Sequence, residues 1–97
     1  MRFLDADAIE AALSYPSLVD VLADAFRAGM IAPPRHHHPV RLENRPDATL
    51  LLMPAWTTKA PGSRSAGRYM GVKNVTVFPD NGASGLPAVF AIYVLMS

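Results

Sequence analysis

Residues 70–78 read MGVKNVTVF: four β-branched residues, one phenylalanine and, in the middle, one lysine. β-Branched and aromatic side chains at this density predict a strand. Side chains of a strand alternate between two faces, which sets Lys73, Val75 and Val77 on one side and Val72, Asn74, Thr76 and Phe78 on the other. A lysine flanked by valines in an interior strand must find an anion or carry its ammonium out to water along its aliphatic stem. A lysine on an edge strand with its amine in solvent is the plainer alternative. The fold therefore turns on what lies on either side of this strand.

Downstream, residues 88–96 (AVFAIYVLM) predict a second strand, and the link PDNGASGLP carries the glycine, proline and Asp-Asn-Gly punctuation of a connection. Upstream, residues 35–42 and 48–54 predict two further strands, joined by the turn-forming stretch Glu43-Asn44-Arg45-Pro46-Asp47 in an antiparallel hairpin. The second of these, ATLLLMP, is apolar on both faces and belongs at the centre of a sheet. From Trp56 to Tyr69 the sequence has no period and predicts a long loop.

The first thirty residues are helical in pattern. Asp5 or Asp7 can cap a short helix ending near Leu13, and Tyr15-Pro16 is expected to interrupt it. Ser17, with Asp20 three residues on, resembles a capping box that opens a second helix, and Gly29 supplies its stop. Leu18, Val21, Leu22, Ala25 and Phe26 form one apolar stripe on that helix, which calls for a packing partner. The fold class expected is α+β, with two N-terminal helices packed on a mixed, mostly antiparallel sheet.

Composition narrows the function. The chain has 97 residues, 51% of them hydrophobic and 18% charged, with a net charge of +1, as in a soluble globular domain. No uninterrupted apolar run reaches the length of a membrane span, the N-terminus lacks the apolar core of a signal peptide, and there is no cysteine; the expectation is a cytoplasmic protein without disulfides or thiolate metal sites. Residues 1–30 hold five acids against two bases, whereas residues 31–97 hold seven bases against Glu43, Asp47 and Asp80, so the second part favours an anionic ligand. Its bases are spread singly rather than clustered with aromatics, which argues against nucleic acid.

Two candidate sites follow. Arg35, at the start of PPRHHHPV, is the natural companion of Lys73, because a guanidinium grips a carboxylate through two parallel hydrogen bonds that an ammonium cannot match. The three histidines beside it invite a metal reading, but alternation puts only His36 and His38 on one face. Zinc ordinarily takes at least three protein ligands, so no metal site is expected. Dinucleotide, P-loop, zincin and nucleophile-elbow motifs are absent, and Ser63 and Ser65 have no evident base beside them.

Three segments, PPRHHHPVRL, LLLMPAW and GVKNVTVFPDNGASGLPAVFAIYVL, together resemble in order and spacing the N-terminal part of the ornithine cyclodeaminase / mu-crystallin family. The run G-V-K-x-V-T-V-F-P-x-N followed by G-L-P-A is the most specific portion. The resemblance implies a substrate-binding and dimerisation domain, residues 1–97, from a two-domain homodimeric protein whose second domain is a Rossmann domain for NAD or NADP. It further implies hydride transfer at the α-carbon of a small amino acid or cyclic imino acid, as in ornithine cyclodeaminases, alanine dehydrogenases and ketimine reductases. In the family's pattern Arg35 and Lys73 hold the substrate carboxylate, Met53 lines the pocket, and Lys73 takes part in catalysis. Ala88 stands where ornithine cyclodeaminases proper carry a threonine, and the family's Arg-Thr-Ala-Ala segment, glycine-rich loop and catalytic aspartate do not occur in these 97 residues. The expectation is a truncated chain, inactive alone and unable to bind NAD or NADP fully. A non-catalytic binding protein of the mu-crystallin kind and a stand-alone dimerisation module are the alternatives.

Overall fold

The computed structural model describes residues 1–58 and 69–97. Two helices, α1 (Ala6–Ala12) and α2 (Tyr15–Ala28), precede five strands: β1 (Met30–Ile31), β2 (His36–Val40), β3 (Ala48–Thr57), β4 (Met70–Val77) and β5 (Val89–Met96). A short 3-10 turn, Asn81–Ser84, lies between β4 and β5. Every strand pairing is antiparallel, so the sheet is not mixed as expected. β4 lies between β3 and β5, and β3 carries both β1 and β2 on its other side. Lys73 therefore sits on an interior strand, not an edge.

The helix ends follow local chemistry. Asp5 caps α1, its carboxylate accepting from the Ala8 amide at 2.9 Å. The cap of α2 is Ser14 rather than Ser17, with the Ser14 hydroxyl accepting from the Ser17 amide at 3.3 Å. Tyr15-Pro16 thus opens the second helix instead of separating the two. Proline fits there because the amides of a helix's first turn have no intrahelical acceptor to lose. Gly29 ends α2 at φ 95°, as its position predicted.

β3 runs three residues beyond the predicted strand end, through Pro54 to Thr57, so Trp56 and Thr57 are strand rather than loop; the rest of that predicted loop, residues 59–68 with Ser63 and Ser65, lies outside the described residues. The extension is anchored on both sides. Thr57 donates its amide to the Tyr69 carbonyl at 2.9 Å, and Thr58 donates to the Gly29 carbonyl at 3.3 Å. In the connection after β4, the Phe78 amide reaches the Ala88 carbonyl at 2.8 Å, while the Asn81 side chain donates to the Pro87 carbonyl at 3.0 Å.

The expected layer of helices on the sheet is not formed. Neither helix has a buried residue, and Phe26 on the apolar stripe of α2 is 68% exposed. Only Ala48 and Val75 are buried hydrophobic residues among those described. The Cα radius of gyration is 16.7 Å, against about 13 Å for a compact chain of this length. Among the described residues the sheet is held by its ladders and cross-strand pairs, with β3 half-buried along its length and β5 exposed.

Candidate carboxylate site

The edge of β3 explains how Arg35 comes to the site. β1 pairs Met30 with Thr57 and Ile31 with Trp56, whereas β2 begins with His36 opposite Leu52. Residues 32–35 therefore stand opposite 53–55, one residue more on the edge side. Continuing the β1 register sets Pro33 against Pro54 at a position where each residue should give the other an amide hydrogen. Neither proline has one. The ladder is interrupted over residues 32–35 and resumes at His36 with its register moved by one residue. The extra residue on the edge side acts as a β-bulge does, letting the chain bend between β1 and β2.

β4 brings Lys73 to the same row. Met53 pairs with Lys73, and Lys73 pairs with Tyr93. Directly opposed residues share a face, so Met53, Lys73 and Tyr93 lie side by side across three strands. Alternation along β2 places His37 and Pro39 on that face, since they oppose Leu51 and Thr49; Arg35 lies immediately before β2. Cα atoms two strands apart are separated by about 10 Å. Arg35 and Lys73 thus lie on either side of β3, at a backbone spacing of this order. Both residues are exposed, and among the described residues the one ion pair is Arg27–Asp24, remote from this row.

The backbone pattern distinguishes Lys73's two neighbours. The Thr57–Tyr69 bond fixes the odd-numbered residues of β3 as those bonded to β4, which makes Met53–Lys73 a hydrogen-bonded pair. The Phe78–Ala88 bond makes Lys73–Tyr93 a non-hydrogen-bonded pair, in which side chains stand closer. Tyr93 nevertheless leans away, toward Gly71: a Cβ built on Gly71 would overlap the phenol, with Cζ at 2.5 Å and a ring carbon at 2.7 Å. Gly71 is buried although it bears no side chain, because that ring covers it. The sequence reading overlooked this pair. Its available signal was a glycine inside a strand, which often marks a close approach.

The histidines stay apart from the row. His36 and His38 share the opposite face, their rings 5.8 Å apart and inclined at 69°, as alternation predicted. Among the described residues no group of three metal-ligating side chains converges. No helix among them is long and apolar enough to cross a membrane.

No family model matches the chain. It is similar to an uncharacterized protein of Schizosaccharomyces pombe, 33% identical over 98 aligned residues that take in 97% of this chain and 27% of that protein. It is also similar to Protein SAR DEFICIENT 4 of Arabidopsis thaliana, 36% identical over 92 residues covering 87% of this chain and 26% of that protein. The chain spans about a quarter of the length of these curated relatives.

Proposed function

We propose that this chain is the carboxylate-binding part of an NAD(P)-dependent enzyme acting on a small amino acid or cyclic imino acid, cytoplasmic and homodimeric, of the ornithine cyclodeaminase / mu-crystallin kind. The observation that carries the reading is the Met53–Lys73 pair, an exposed ammonium on an interior strand with no acid among its cross-strand neighbours, and Arg35 immediately before β2 on the other side of β3. A carboxylate held there by the forked guanidinium and the ammonium would be fixed in position and plane. Met53 beneath would exclude water from one side. Fixing the carboxylate fixes the α-carbon, and orienting that atom toward a nicotinamide is the contribution this part of the protein makes to hydride transfer. The nicotinamide would come from a Rossmann domain in the remainder of the protein, and the hydride chemistry belongs to that cofactor.

Lys73→Met tests the reading. In the complete protein, with cyclic imine and NAD(P)H as substrates, the substitution should lower kcat/KM by at least tenfold, since a charge-assisted hydrogen bond contributes about 1.5–3 kcal/mol. An unchanged kcat/KM would remove Lys73 from the site.

An interaction module is the second reading, favoured by the exposure of every residue of β5. Binding of amino acids by the isolated chain separates the two: a self-associating chain that ignores carboxylates is an interaction module.

A further inference from the structure

One row along from Lys73, on the same face, the sheet has a shallow depression of about 90 Å³, bounded by Met30, Thr57, Tyr69, Gly71, Tyr93 and Leu95. We propose that this depression receives the side group of the bound amino or imino acid and selects a small uncharged aliphatic group over a chain that ends in an ammonium. The inference rests on the carboxylate reading of Arg35 and Lys73.

Position, size and polarity each support it. Gly71 and Lys73 are two residues apart on one strand, about 6.7 Å, which puts Gly71 within reach of the α-substituent of a ligand whose carboxylate meets Lys73. At about 90 Å³ the depression has room for a small side group. The Tyr93 ring packs over Gly71, where a Cβ would overlap it, and so forms one wall of the depression. The Thr57 hydroxyl is engaged with the Tyr69 backbone, accepting from its amide at 3.0 Å and donating to its carbonyl at 3.4 Å, and no lining side chain is charged. Between Asp47 and Asp80 the sequence contains no acidic residue, and β5 contains none either. An ammonium brought into this depression would lose water, gain no counter-charge, and lie near Lys73.

The test is a two-dimensional amide NMR titration of the 97-residue chain with acetate, L-valine and L-ornithine. All three should shift the Lys73 amide. L-Valine should also shift Gly71 and Tyr93 and bind about tenfold more tightly than L-ornithine, the scale expected when a pocket accepts one side group and leaves the other unpaired. Gly71→Ala should displace the Tyr93 ring and reduce valine binding to the level of acetate while leaving acetate binding unchanged. If Gly71→Ala loses the native spectrum, Tyr93→Leu at a 60% exposed position serves instead and should erase the preference for valine. Ornithine binding as tight as valine, with Lys73 still responding, overturns the role of the depression and leaves the carboxylate site standing. Silence at Lys73 with all three ligands overturns the carboxylate reading itself.

Discussion

Lys73 is exposed at the centre of a sheet, and that combination gives it its use. Its neighbours across the ladder are Met53 and Tyr93, neither of which neutralises an ammonium. Exposed among the described residues, the amine keeps its water and remains available to an incoming anion. Arg35 differs from Lys73 in what it adds. Its rigid fork sets the plane of a carboxylate, so charge alone does not replace it. Arg35→Lys should therefore weaken binding of L-valine by about tenfold in the same NMR titration, one lost charge-assisted hydrogen bond. Full affinity in that variant would show that the site reads charge without geometry. The alternation of residues 71–78 made the face of Lys73 legible in the sequence. The partners on that face were not legible, because register depends on strands 20 residues away along the chain.

At the scale of elements, the proline pair at the edge of β3 is the decisive feature. Two prolines brought opposite each other leave the ladder without a donor from either strand, and the chain inserts a residue to recover pairing at His36. Replacing Pro33 with Ala and Pro54 with Val returns both amides. The β1 register should then propagate past residue 33, turning Arg35 to the other face, since a slip of one residue exchanges the two faces. Hydrogen exchange should report a newly protected amide at position 33, together with a loss of carboxylate binding. Protection without loss of binding would sink this account of the bulge. Gly29 is a separate constraint. Its φ of 95° and the Thr58 hydroxyl 2.9 Å from a would-be Cβ leave little room for another residue. Gly29→Ala should lower stability by more than about 1 kcal/mol in urea unfolding, the direction expected where alanine meets a positive φ.

Across the whole molecule, apolar surface is distributed unusually for a chain of this composition. β5 is an edge strand with eight exposed residues, among them Ile92 at 63% and Leu95 at 62%, and α2 leaves its stripe uncovered. A long flat apolar edge is a template for further strand pairing or for packing against another sheet. The 97-residue chain should accordingly sediment above its 10.5 kDa monomer mass, and Ile92→Lys should shift it toward the monomer. Sedimentation at the monomer mass across a tenfold concentration range would contradict the proposed homodimer.

Strand content, the β2–β3 hairpin, the central place of ATLLLMP, the stop at Gly29 and the split of the histidines were all determined by the sequence itself, because each depends on neighbours within a few residues: alternation, turn chemistry and capping. The cap at Ser14 was misread for a local reason too, since Tyr15-Pro16 serves equally as a break or as a first turn. The two-residue β1, the extension of β3 to Thr57, the bulge at Arg35 and the cover of Gly71 by Tyr93 belong to tertiary structure alone. Each arises from which residue stands opposite which across a ladder. That pairing is set by the energy of the whole sheet, in which no strand's own residues name the partner they will meet.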